Sequence, residues 1–262
     1  MFRPDLDLSP MTMPRVTSLI LLGFLTISSS IFIGGCSSDE KKVDTAEAAY
    51  ELAQQYDKEE RYEEAIRRYQ EVKNKYPYSK FAVLSELSVA DAHYKQESFP
   101  EAQVSYQNFK DLHPKFEKID YVTFRLGLCY FNQLPPTSDR DLALAGKTIS
   151  NFDEVIKQYP NSEFVKEAQE KKAAVLKLQA EKEIYIADFY FKKAQWDSAR
   201  LRYEGEVKNF PGQGFEAKAL SRAVICAARA SEMDRAKELL ALLKSRFPKN
   251  QSEIQDAARE IR

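Results

Sequence analysis

Few residues in this chain are of types that do chemistry by themselves. Two histidines, His93 and His113, and three cysteines, Cys36, Cys129 and Cys226, are spread over 262 residues. None of them falls in an HExxH, a CxxC or another metal-ligand spacing, and no nucleophile elbow, P-loop or dinucleotide fingerprint occurs. His93 stands where a helix-packing aromatic would sit and His113 directly precedes Pro114, so both read as packing residues. An enzyme is not expected, nor a metal or a cofactor. Charge excludes a further class: 39 basic and 40 acidic residues nearly cancel, which leaves no single-sign field to hold nucleic acid.

Cys36 stands apart. From Val16 to Ile33 the chain is uncharged and mostly apolar, with Arg15 on its N-terminal side, and the run ends in Ile33-Gly34-Gly35-Cys36. That layout is a secretory signal, and its end resembles the bacterial lipobox, in which an aliphatic and two small residues precede the cysteine that receives a lipid. Residues 1–35 are thus expected to be a signal peptide, Cys36 the lipidated first residue of the mature chain, and 36–43 a charged tether. The competing reading is an uncleaved membrane anchor, since about 18 apolar residues just reach across a bilayer. Asp5 and Asp7 oppose the positive start that a signal needs, so translation is expected to begin at Met11 or Met13. Several acyl chains on one cysteine anchor stably. Ser37 after it permits transport to the outer membrane, by likeness to enterobacterial lipoproteins.

The elements that position everything else are helices. Only 8 glycines are present, few for hairpin turns. A small residue, an aromatic four later and a proline eight after that recur as Ala65/Tyr69/Pro77, Ala102/Tyr106/Pro114, Thr148/Phe152/Pro160, Ala199/Tyr203/Pro211 and, with Leu240 for the aromatic, Ala236/Leu240/Pro248. The small residue lets two helices approach, the aromatic fills their seam and the proline stops the second helix. Leu52-Ala53 before Tyr56 and Leu126-Gly127 before Tyr130 supply the first-helix half of the tetratricopeptide (TPR) pattern. The fold expected is all-α, a TPR-like solenoid of about five helical hairpins.

Two intervals between repeat prolines are long. One contains an insertion, Asn132 to Asp141, whose Pro135-Pro136-Thr137-Ser138-Asp139 is a loop by its turn chemistry. In the other, a helix without Gly or Pro runs from a cap at Ser162 to about Lys193. This separates TPR repeats 1–3 (44–160) from the long linking helix and repeats 4–5 (161–262). The long helix either hinges two blocks or simply extends the stack. Cys129 and Cys226 hold the same place in repeats three and five, with a repeat between them, too far apart for a disulfide. Two buried free thiols are expected.

A lipobox followed by five such units resembles the BamD (ComL) family, lipoproteins of the β-barrel assembly (BAM) machinery. The segments that carry the likeness are Tyr69-Gln70-Glu71-Val72-Lys73-Asn74-Lys75-Tyr76-Pro77, the insertion before Asp153-Glu154-Val155-Ile156-Lys157-Gln158-Tyr159-Pro160, and Glu183-Ile184-Tyr185-Ile186-Ala187-Asp188-Phe189-Tyr190 with Trp196. The resemblance implies a non-catalytic scaffold on the periplasmic face of the outer membrane. Its partners would be a BamA-like insertase bearing POTRA domains, other BAM lipoproteins and unfolded outer membrane barrel proteins, with a lipid anchor as its membrane contact. N-terminal repeats would take the substrate signal and C-terminal repeats the insertase. A periplasmic TPR adaptor recruiting peptidoglycan or cell-division proteins is the alternative.

In TPR solenoids the first helix of each repeat lines a groove. The positions that packing leaves free are Tyr50, Gln54 and Asp57 in repeat one, Leu87, Asp91 and Tyr94 in repeat two, and Tyr121, Phe124 and Leu128 in repeat three. Aromatics beside acids and amides suit an extended peptide that ends in an aromatic residue; Tyr50, Gln54, Leu87, Asp91, Tyr94, Tyr121 and Phe124 are the substrate-binding candidates. Leu87 and Leu128 also suit packing against the next repeat. By resemblance a basic residue near the start of the fifth repeat meets an acidic POTRA residue. Ala217 holds the nearest equivalent place, and Lys218 and Arg222 are the candidates beside it.

Overall fold

The computed structural model describes residues 44–261. Cys36, the apolar run before it, the tether and the starts Met11 and Met13 lie outside the described residues. Eleven helices and no strand occur among those described: α1 Ala46–Lys58, α2 Tyr62–Lys75, α3 Lys80–Lys95, α4 Phe99–Leu112, α5 Ile119–Asn132, α6 Ala145–Gln158, α7 Val165–Lys192, α8 Trp196–Asn209, α9 Glu216–Arg229, α10 Met233–Arg246 and α11 Gln251–Arg259. Ten of them pair into five hairpins, each helix packing on its neighbours along the chain, the arrangement of a TPR-like solenoid. None of the described helices is long and apolar enough to cross a membrane.

Every second helix ends in the same way. Tyr76, His113, Tyr159, Phe210 and Phe247 cap α2, α4, α6, α8 and α10 with φ between −122° and −130° and ψ between 53° and 58°. A proline follows each; its ring excludes the helical conformation from the residue before it. Turns inside the hairpins repeat as well. Glu60, Glu97, Ala194 and Ser231 take left-handed φ of 59°, 61°, 54° and 64°, and the next N–H reaches back to Tyr56, His93, Tyr190 and Ala227 at 2.8–3.0 Å. This is a Schellman-type close made without glycine, which accounts for the low glycine content. The third hairpin departs from it: residues 133–144 form the inserted loop, and its Leu142 buries with Ala145 and Val175.

The small and aromatic positions pack as their spacing implies. Ala65, Ala102, Ala199 and Ala236 are buried, as are Tyr69, Tyr106, Phe152 and Tyr203. A Cβ on Gly127 would come within 2.8 Å of the Phe152 ring, so this seam needs glycine. At Thr148 the hydroxyl donates to the Leu144 carbonyl at 2.9 Å instead of sitting unpaired. Both internal cysteines are free and buried, and burial pushes each thiol up to about 12, which keeps them protonated and unreactive.

The 28-residue α7 spans about 42 Å at 1.5 Å per residue. Its N-cap is Phe164 rather than Ser162; the Ser162 hydroxyl accepts the Phe164 N–H at 3.3 Å in the preceding turn. Ala168 and Val175 pack against α5, α6 and the inserted loop, whereas Ile184 and Ala187 join a separate core that runs on to Ala257 in α11. The cores therefore divide inside α7, while the described residues all belong to one compact unit. Beyond the five hairpins expected from the sequence, α11 closes the stack, with Ile254 and Ala257 against α9 and the Ser221 hydroxyl donating to the Glu253 carbonyl at 2.9 Å.

Candidate functional site

The groove candidates separate into two groups. Leu87 is 8% exposed within the α3–α5 core, and Phe124, 3% exposed, stacks on Phe164 at 4.9 Å between centroids. Neither reaches a surface, which corrects their assignment to a groove wall: Leu87 belongs to the core shared with Tyr106 and Val122, and the chain entering α7 lays Phe164 over Phe124. Leu128 is buried likewise. Tyr50 sits in the seam of the first two hairpins, 5.5 Å from both the Tyr69 and Phe81 rings, its hydroxyl 3.1 Å from that of Ser88. Gln54 is half-buried on the same helix, and Asp57 pairs with Lys95.

Asp91, Tyr94 and Tyr121 are brought together. The Asp91 carboxylate accepts the hydroxyls of Tyr106 and, at 2.7 Å, of Tyr121. Burial, and then the Asp91 charge, raise both phenols well above the ordinary tyrosine value, so they remain donors. Arg125 completes the group: its Nε donates to the Tyr106 oxygen at 3.2 Å and its guanidinium lies 3.6 Å from the Tyr94 ring centre. Asn132 donates to the Tyr94 hydroxyl at 3.0 Å, and Phe99 meets the Tyr94 ring edge-on at 5.3 Å. A cleft of about 540 Å³ opens here, with Tyr62, Tyr94, Lys95, Phe99, Arg125 and Asn132 among its walls.

A second cluster repeats the plan two hairpins later. Asp188 accepts the Tyr203 hydroxyl as Asp91 accepts that of Tyr106. Phe191 takes the place of Tyr94 and meets Trp196 at 5.4 Å, as Tyr94 meets Phe99. Arg222 takes that of Arg125, 4.5 Å from the Phe191 ring centre. Lys218 stands where Tyr121 does, 3.8 Å from Asp188, and Arg229 where Asn132 does, over Trp196 at 5.0 Å and paired with Glu260 at 2.7 Å. Ala217 is buried and offers no charge. The candidates Lys218 and Arg222 thus belong to one cluster, half or more open to solvent at Lys218.

Sequence reasoning missed Arg125, which reads as a solvated charge among apolar neighbours until Tyr94 and Tyr106 are seen around it. It also missed Glu206, fully buried with neither carboxylate oxygen hydrogen-bonded. Glu206 stands where the second hairpin has Phe109. Burial, with Glu216 nearby, raises it to about 7. Glu216 itself accepts the N–H groups of Gly212 and Gly214. The histidines are in packed settings: His93 next to Gln96, and His113 2.8 Å from Glu86 with its ring 4.7 Å from Phe109. No cluster of three or more metal-ligating side chains occurs among the described residues.

Comparison with known proteins adds the following. A family model described as YfiO, outer membrane lipoprotein, matches residues 42–241. The outer membrane protein assembly factor BamD of Neisseria meningitidis is 22% identical over 244 residues, covering 86% of this chain and 91% of its own. BamD of Caulobacter vibrioides is 28% identical over 185 residues, 71% of this chain and 60% of its own. Among solved structures, the TPR2AB domain of yeast Sti1 in its pHSP90 complex superposes with a TM-score of 0.46 at 15% identity, over 82% of each chain.

Proposed function

Because the chain belongs to the YfiO family of outer membrane lipoproteins, by a match over residues 42–241, we propose that it is a non-catalytic scaffold that brings unfolded barrel proteins to a membrane insertase. It acts in outer membrane protein assembly, the role its relatives are named for, and is associated with the outer membrane. A lipid on Cys36 holds it at the periplasmic face. The Asp91 cluster takes the aromatic C-terminal signal of a substrate, and the Asp188 cluster takes an acidic face of a POTRA domain of the BamA-like insertase.

One observation carries this division: two clusters of the same plan differ where a ligand would touch them. Tyr121 and Asn132 in the first are Lys218 and Arg229 in the second. The first is neutral and rich in tyrosine, which suits stacking on an aromatic side chain while hydroxyls and amides satisfy a peptide backbone. Its guanidinium is already placed for a carboxylate. The second is cationic and aromatic, which suits an acidic surface.

The test is binding of a fluorescent peptide ending in a barrel protein's last strand to the full-length protein. Tyr94→Ala is expected to weaken it at least about tenfold, the cost of one buried aromatic contact, while Val104→Ala on an exposed position leaves it unchanged. Equal affinity for the Tyr94→Ala protein would refute the placement of the substrate site.

A further inference from the structure

The fourth hairpin lacks a neighbour that the second one has. Ser88 and Ala92 of α3 face the first hairpin: the Ser88 hydroxyl is 3.1 Å from that of Tyr50, and Ala92 is fully buried. The same two places on α7 are Tyr185 and Phe189, which are 57% and 54% exposed. They lie one helical turn apart on one face. That face continues a stripe spaced by three and four residues, Ala168, Lys171, Val175, Leu178 and Lys182, which is covered by α5, α6 and the inserted loop; Lys171 lies over the Phe131 ring and Lys182 donates to the loop's Arg140 carbonyl. Beyond Lys182 the stripe runs on uncovered, because α7 has carried the fourth hairpin past the end of the third.

Charge on this stretch is biased. Lys182 precedes the aromatic pair and Lys192 and Lys193 follow it, with Glu181 opposing them. The other acids nearby are engaged: Glu183 by Arg202 at 3.1 Å, Asp188 by Tyr203 and Lys218. Asp188 lies about 60° around the helix from Tyr185 and about 100° from Phe189, so this face borders the Asp188 cluster, whose contacts to Tyr203 and Lys218 involve neither ring. We propose that the uncovered face of α7 around Tyr185 and Phe189 docks an acidic amphipathic helix of a partner protein. In the second hairpin the equivalent face packs against α1 and α2, so a helix is the element this surface accepts. Two aromatic knobs supply the apolar contact, and the lysines favour acid on the partner and disfavour a basic one. The inference stands whichever ligands the Asp91 and Asp188 clusters take.

The experiment places a photo-crosslinking amino acid at 185 and, separately, at 189 in the full-length lipidated protein in cells, with position 104 as an equally exposed control. The expected result is one common adduct from 185 and 189, mapped to a helical segment rich in Asp and Glu, with a yield that falls about tenfold on Lys192→Glu with Lys193→Glu. Tyr185→Ser with Phe189→Ser is expected to leave thermal unfolding unchanged, since neither side chain is buried, so a lost adduct would report docking and not unfolding. Adducts no stronger than those from position 104, an adduct of the chain with a second copy or with its own residues 36–43, or one mapped to a segment without acidic residues would each overturn the proposal.

Discussion

The clusters around Asp91 and Asp188 are one arrangement written twice, and their differences show what a repeat scaffold leaves free to change. In both, a carboxylate on the first helix holds a buried tyrosine of the second helix, and an arginine from the next hairpin lies over an aromatic ring. Those contacts hold one hairpin to the next. Exchanging Tyr121 for Lys218 and Asn132 for Arg229 changes the charge of the surface and leaves the frame in place. The same holds one layer deeper, where Phe109 packs against the rings of His113 and Phe116 and its counterpart Glu206 is a buried carboxyl.

If the frames are equivalent, removing their carboxylates should differ only by what each one holds. Asp91→Ala takes the acceptor from two tyrosine hydroxyls, Tyr106 and Tyr121, and Asp188→Ala from one, Tyr203, at roughly 1–3 kcal/mol each. Urea denaturation should therefore show about 3–4 kcal/mol lost in the first variant and about half that in the second; equal losses would break the comparison. Next in size is a pH effect confined to the second half. Glu206 moves from 4.5 to about 7 on folding, so the folded state binds the extra proton between those values, and stability falls as pH rises through that window. A shift of this size corresponds to about 3 kcal/mol. Glu206→Gln should flatten the fall in melting temperature between pH 5 and 8, and a fall that persists in the variant would exclude Glu206 as its source.

Lys218→Glu sharpens the contrast on the ligand side. It should weaken binding of an acidic partner about tenfold, more strongly at low salt, and leave peptide binding at the Asp91 cluster unchanged. The smallest effect concerns the shared turn. Glu97→Gly and Ala194→Gly each remove the cost of a left-handed residue bearing a Cβ, and each should raise stability by about 0.5–1 kcal/mol; unequal gains would mean that the two turns are not equivalent.

Much of this architecture can be read from residue types. Each aromatic–proline pair stops a helix by local sterics alone, so five hairpins and the inserted loop follow from spacing. What a local pattern cannot carry is a contact from the next hairpin. Phe124 has the spacing of a groove residue, and only the chain entering α7 buries it under Phe164. Arg125 gains its role from Tyr94, a full hairpin away. Glu206 looks like any surface glutamate until it is aligned with Phe109. The final helix α11 escaped because its nine residues carry neither the small–aromatic–proline spacing nor the first-helix pattern of the repeats.

The central claim is that two equivalent clusters serve two different ligands. It is tested most directly by measuring, on one full-length preparation each, the affinity of Tyr94→Ala and Arg222→Glu proteins for both a barrel C-terminal peptide and the POTRA domains of the insertase. The account predicts crossed losses: Tyr94→Ala loses the peptide and keeps the POTRA domains, and Arg222→Glu does the reverse. Loss of both ligands by either variant, with the fold intact by circular dichroism, would contradict it.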